Sequence, residues 1–173
     1  MMEKEYLRRP EEVALLPGAG EALRQMRAGG FLLVLVTNQS GVGRGYFTLA
    51  EVAQVNARLL ELLAQDGASL EKIYVAPEAP DQPSRARKPS PQFLFDARDE
   101  FGLDLGQSYM VGDKLLDLEC GWNAGVRKSI LVRTGYGRRV EHENPEKLGE
   151  AVVLDDLSSV ARYVLAQGRA ECE

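Results

Sequence analysis

The sequence predicts an α/β fold built on a mainly parallel sheet, and three observations carry that expectation. Short runs of Val, Leu and Ile alternate along the chain with stretches of helical period. Those apolar runs are continuous rather than alternating with polar residues, as strands covered on both faces require. Polar residues and glycine follow several runs directly. In open parallel sheets, ligands collect beyond the carboxyl ends of the strands, near a switch point in strand order.

Ala19, Ala22, Leu23 and Met26 share one face of a first helix, closed by Gly29-Gly30. The run at 31–36 is expected to be a strand buried on both faces, followed by Thr37 and Asn38. "TLAE" (48–51) is a capping box, with Thr48 as N-cap and Glu51 reaching back; Val52, Val55, Leu59 and Leu62 continue that helix to about Gly67. "KIYVAP" (72–77) is a short strand, and "DQPSRARKPSP" (81–91) a loop of Pro, Ser and basic residues. Ser90 as N-cap and Pro91 as first helical residue open a helix that stops near Gly102. "SYMVG" (108–112) is a buried strand, followed by a helix over 114–124 that Gly125 ends. "SILVRTG" (129–135) and "AVVLDD" (151–156) are further strands, and Leu157, Val160, Ala161 and Val164 mark the last helix. The chain has no internal repeat and no low-complexity segment.

With 173 residues, 45% of them apolar, the chain is most economically one domain with a real core. A net charge of −5 without a basic block argues against a nucleic-acid surface. No apolar run approaches a membrane span, and "MMEKEYLRRPEE" is too polar for a signal peptide, so a cytoplasmic protein is expected. Cys120 and Cys172 lie far apart and are expected to be reduced thiols; with His142 as the single histidine, neither a His-based triad nor a zinc cluster is available.

Three stretches carry chemistry. In "TNQSGVGRG", hydroxyls and backbone N–H groups at a strand end suit phosphate oxygens, and glycines allow close approach. No Gly-Lys-Ser/Thr follows, so this is not a Walker A loop; its plain alternative is a strand-to-helix turn capped by Ser40. In "RARKPSP", Lys88 is a candidate phosphate-gripping ammonium, with Arg85 and Arg87 beside it; the alternative is a solvated basic loop. In "MVGDKLLDLECGWNAG", Asp113 follows a buried strand and Asp117 comes one helical turn later. That pattern suits Mg²⁺, which takes few protein ligands and keeps its waters. The alternative is that Asp113 caps the helix and Asp117 is an acid favoured by the helix dipole.

Together, "PEEVALLPGAGEAL", "LVLVTNQSGVGRGYFT", "RKPSP", "SYMVGDKLLDLECG" and "ILVRTG" resemble, in order and spacing, the haloacid dehalogenase-like (HAD) phosphatases. More narrowly, they resemble the branch of the heptose-bisphosphate and histidinol phosphatases, from about Tyr6 to Gly135. The resemblance implies a Rossmann-like three-layer sandwich forming a single HAD-like domain over 1–173, and Mg²⁺-dependent hydrolysis of a small phosphomonoester. D-glycero-D-manno-heptose 1,7-bisphosphate and histidinol phosphate are the substrates it suggests. By resemblance Thr37 and Asn38 bind the phosphate, Gln39, Ser40 and Arg87 lie next to it, and Lys88 offsets phosphoryl charge. Asp113 is the Mg²⁺ ligand, Lys114 a substrate contact and Asp117 the supporting acid.

Two departures stand beside these matches. The family begins with an apolar strand ending in Asp-x-Asp, whose first Asp attacks phosphorus and whose second is the general acid and base. None of the nine aspartates here is two positions from another, and Met1 already lies past the expected place of that motif. The chain as given is therefore expected to lack its nucleophile and to be inactive, as a start codon assigned too late would produce; the alternative is a non-catalytic phospho-ligand-binding or regulatory domain. Because the missing strand is central in the family's sheet, its loss should leave two strand edges and an apolar slot, for which "MMEKEY" is a poor filler. Relatives also often carry a Cys/His zinc loop before "RKP". Ala76, Glu78, Ser84 and Ala86 hold those places here, so no zinc is expected.

Overall fold

The computed structural model describes residues 7–169, with side chains described through residue 167. The expectations that fall on Met1–Tyr6 and on Cys172 lie outside this range. The described residues form two compact units that divide between Ser84 and Arg85.

In the first unit a 3-10 turn, Pro10–Glu12, precedes helix α1 (Ala19–Ala28), strand β1 (Val34–Asn38), the short helix α2 (Ser40–Gly43), helix α3 (Leu49–Gln65) and strand β2 (Lys72–Ala76). α1 forms where the sequence places it and buries Ala19, Ala22 and Met26. The capping box of α3 is complete. The Glu51 N–H donates to Thr48 Oγ1 at 3.2 Å, and the Thr48 N–H donates to Glu51 Oε2 at 2.7 Å. Val52, Val55 and Leu63 are the buried residues of its inner face.

β1 departs from its expected bounds. Leu32 is exposed and lies outside the strand, only Val36 is buried within it, and the parallel pairing with β2 runs on through Thr37↔Val75 to Asn38↔Ala76. Backbone pairing is indifferent to side-chain polarity, so an apolar count ends the strand too early. The strand "KIYVAP" occurs as expected, less its proline.

The second unit comprises α4 (Gln92–Phe101), a 3-10 turn at Leu105–Gln107, β3 (Tyr109–Gly112), α5 (Leu115–Ala124), β4 (Lys128–Val132) and α6 (Gly137–Glu143). A 3-10 turn at Pro145–Lys147, β5 (Val152–Leu154) and α7 (Leu157–Arg169) complete it. Its three strands are parallel in the order β3-β4-β5. Ser129, Ile130 and Leu131 of β4 are fully enclosed, as are Leu118 and Cys120 of α5 and Val160 and Ala161 of α7. The one polar side chain in that set is satisfied: Ser129 Oγ donates to the Leu118 carbonyl at 3.0 Å.

Four expectations need correction here. The N-cap of α4 is Pro91 rather than Ser90, whose Oγ instead donates to the Arg85 carbonyl and only weakly accepts from Gln92 N–H at 3.4 Å. β4 stops at Val132: Arg133 N–H still donates to the Leu154 carbonyl at 2.9 Å, but Thr134 and Gly135 enter a turn in which Gly135 has a φ of +60°. The strand expected at 151–156 covers only Val152–Leu154, since Asp156 caps the next helix by accepting from Ser159 N–H at 2.8 Å. β3 was expected to be wholly buried, but only Met110 is.

Fold class is α/β with parallel strands throughout. The strands lie in two sheets, β1-β2 and β3-β4-β5, each described within its own unit. No helix among the described residues is long and apolar enough to cross a membrane.

Candidate active site

In the first unit, the carboxyl end of β1 delivers Thr37 and Asn38 as its last two residues. The ladder continues one step further, since Gln39 N–H donates to the Ala76 carbonyl at 2.7 Å. The Gln39 side chain turns back, with Nε2 donating to Thr37 Oγ1 at 3.2 Å, and so orients the hydroxyl it holds. Ser40 does not cap the following turn; it is the first residue of α2, whose N-cap is Gln39 without a side-chain cap bond.

The glycines of this loop have separate reasons. A Cβ on Gly41 would lie 2.0 Å from the Phe47 ring, and one on Gly43 would lie 2.4 Å from the Ala79 amide nitrogen. Gly43 N–H donates to the Pro77 carbonyl at 2.8 Å, which binds α2 to the segment after β2. A cleft of about 440 Å³ opens there, lined among others by Arg44, Tyr46, Asp81 and Gln82. That cleft was not foreseen; "GRGY" marks only its near wall. Two of the places where zinc ligands were sought are joined directly, as Ser84 Oγ donates to Glu78 Oε2 at 2.8 Å.

The second unit brings Lys88, Asp113, Lys114 and Asp117 together. Lys88 Nζ lies 2.6 Å from Asp117 Oδ1, and both side chains are nearly buried, at 14% and 7% exposure. The other oxygen, Asp117 Oδ2, accepts from the Asp113 and Lys114 backbone N–H groups at 3.2 and 3.0 Å. Asp117 thus does three things at once: it satisfies amides at the α5 N-terminus, sits where the helix dipole favours an anion, and pairs with Lys88. The alternative of a helix-capping Asp113 does not hold, because Asp117 takes the amides.

Asp113 Oδ2 instead accepts from Tyr136 N–H at 3.0 Å, in the turn after β4. Glycine makes both carboxylate positions possible. A Cβ on Gly112 would fall 2.2 Å from Asp117 Cβ, and one on Gly135, whose φ is +60°, would fall 2.2 Å from Asp113 Oδ2. Lys114 Nζ stands 4.3 Å from the centroid of the Tyr136 ring, which also carries the Arg139 guanidinium at 4.9 Å. Tyr136 was not singled out from the sequence; Gly112 and Gly135 stood there only as the last residues of two predicted strands.

The arginines near Lys88 separate. Arg85 is held by Asp96 through two bonds of 2.7 Å, which fixes the loop to α4 and removes Arg85 from the candidate phosphate binders. Arg87 is half-buried.

The HAD-hydrolase-like family model matches residues 85–160, within the second unit. A D-glycero-D-manno-heptose-1,7-bisphosphate 7-phosphatase of Chlorobaculum tepidum is 39% identical over 94% of this chain and 87% of its own length. The D-glycero-beta-D-manno-heptose-1,7-bisphosphate 7-phosphatase of Haemophilus ducreyi is 38% identical over 92% of this chain and 89% of its own. Among solved structures, the D,D-heptose 1.7-bisphosphate phosphatase from B. bronchiseptica, complexed with magnesium and phosphate, superposes with a TM-score of 0.88. It is 32% identical and covers 95% of this chain and 91% of its own. On identity and coverage of this extent, the chain belongs to the HAD phosphatases, in the branch of the heptose-bisphosphate phosphatases.

Proposed function

We propose that this chain is the phosphatase domain of an enzyme that hydrolyses a small phosphomonoester with Mg²⁺, and that the substrate is a heptose 1,7-bisphosphate rather than histidinol phosphate. What carries the reading is the agreement with named heptose-bisphosphate phosphatases over more than nine-tenths of the chain. That coverage runs through both units and supports treating 1–173 as one HAD-like domain. The Lys88–Asp117 pair next to Asp113 supports the chemistry.

Thr37 and Asn38 are assigned to phosphoryl oxygens, with Gln39 setting the Thr37 hydroxyl and Ser40 adjacent. Lys88 supplies a full positive charge that Asp117 holds in place, and Lys114 and Arg87 are assigned to the rest of the substrate. The Arg44–Tyr46 cleft is the polar space in the first unit suited to a sugar. Asp113 fits a Mg²⁺ ligand: it is a hard oxygen donor whose Oδ2 is oriented by Tyr136 N–H, and Mg²⁺ takes few protein ligands and keeps its waters. Bound there, Mg²⁺ would neutralise charge on the phosphoryl group.

The reading requires the anion site, so its test comes first. Inorganic phosphate titrated into the chain is expected to bind weakly, and Lys88→Ala should weaken it by ~10- to 100-fold, the worth of a charged hydrogen bond. Equal affinities by calorimetry would remove Lys88 from the site. Metal analysis of the purified chain is expected to give less than stoichiometric zinc, because Glu78 and Ser84 bond each other and neither is a soft ligand. One tightly held zinc per chain would overturn that expectation.

A further inference from the structure

Helix α5 grips the Lys88 segment at three successive levels. Asp117, Cys120 and Asn123 follow at three-residue steps, which lays them along one side of the helix. Asp117 takes the Lys88 ammonium at 2.6 Å, Cys120 Sγ–H donates to the Ser90 carbonyl at 3.3 Å, and Asn123 Nδ2 donates to the Pro89 carbonyl at 3.0 Å. The gripped residues are consecutive, 88 to 90, and belong to neither helix nor strand.

Their composition explains why side chains must do this. Pro89 and Pro91 have no N–H to give, and the Ser90 N–H is already spent on the Arg87 carbonyl at 2.9 Å. The carbonyls are what the segment offers. Cys120 is fully enclosed, and burial pushes its thiol up to about 11, so at neutral pH it carries the proton that it donates. Lys88 ends a flexible four-carbon stem, so where its ammonium stands depends on how firmly its own backbone is anchored.

We infer that Cys120 and Asn123 are positioning residues that anchor the 88–90 backbone on α5 and thereby place the Lys88 ammonium for phosphate; the inference rests on the role proposed for Lys88. Neither residue touches the substrate. They act through Lys88, on the helix that also carries Asp117.

The test uses the full 173-residue chain with ¹⁵N-labelled lysine, reading the Lys88 ammonium resonance (identified by its loss in Lys88→Ala) together with the affinity for inorganic phosphate. The double variant Cys120→Ala/Asn123→Ala is expected to fold, to lose the resolved Lys88 resonance through faster exchange, and to bind phosphate about tenfold more weakly. Cys120→Ser in the Asn123→Ala background should recover part of both, because a hydroxyl can donate where the thiol did. A folded double variant with the Lys88 resonance and phosphate affinity of the parent overturns the inference. If the double variant fails to fold, Asn123→Ala alone decides, since Asn123 is exposed: unchanged resonance and affinity overturn the inference, and loss of both supports it. Lys88→Ala without effect on phosphate overturns the role of Lys88 and, with it, this one. A strong effect of Lys88→Ala with none in the α5 variants overturns the anchoring alone.

Discussion

Phosphatase turnover by the 173-residue polypeptide is expected to stay at background with Mg²⁺ on any phosphomonoester tried, including heptose bisphosphate and histidinol phosphate. Hydrolysis through a covalent route needs a carboxylate in line with phosphorus and an acid for the leaving oxygen. No pair of aspartates in the sequence has the Asp-x-Asp spacing that supplies both in this family. Of the candidate site aspartates, Asp117 accepts from two backbone N–H groups and pairs with Lys88, and Asp113 accepts from Tyr136 N–H. Loss of general acid help alone is worth ~10²–10⁴ in rate, and loss of the nucleophile closes the covalent path. A version extended at its N-terminus by a strand ending in Asp-x-Asp is expected to turn over, and Asp113→Ala in that version to abolish turnover. Robust hydrolysis by the 173-residue polypeptide, itself lost on Asp113→Ala, would mean that a different residue attacks phosphorus.

What the sequence made legible is largely what neighbouring residues decide among themselves. Thr48 and Glu51 are three residues apart and answer each other, so the α3 capping box could be written down in advance. Gly102 and Gly125 end their helices in the left-handed region, at φ of 65° and 72°, which is the conformation glycine adopts at least cost. Helix α6 escaped because Val140 is the only large aliphatic residue in "GRRVEHE", which leaves no apolar period to find. The polar continuation of β1 escaped because its register is set by β2, more than thirty residues on.

At the site, residue types and places were legible but their assignments were not. Asp117 was expected to support Asp113; it accepts from the Asp113 backbone N–H and holds Lys88, a partner 29 positions away in the sequence. Arg85 and Lys88 looked alike as loop cations. Only the fold hands one to Asp96 and the other to Asp117. The glycines under the carboxylates could be placed at strand ends but given no reason, because what they avoid is a side chain from another element or the next helical turn.

Asp117→Ala should strongly destabilise the second unit. It removes one member of a nearly buried ion pair and the acceptor of the Asp113 and Lys114 N–H groups at the head of α5. Removing one member of a buried pair costs ~3–5 kcal/mol, which for a domain of this size lowers the melting temperature by roughly 6–20 °C. Asp117→Asn keeps an acceptor for the N–H groups and loses the charge, so its melting temperature should fall between those of the parent and Asp117→Ala. Gly112→Ala should act in the same direction without touching the carboxylate chemically. Its methyl group would need the space of Asp117 Cβ, only 2.2 Å away, at an overpacking cost of ~1–3 kcal/mol. Thermal melts and phosphate titrations on the three variants decide the point. Were Asp117→Ala to melt within 2 °C of the parent and bind phosphate as well, Asp117 would be neither a structural anchor nor the partner that holds Lys88.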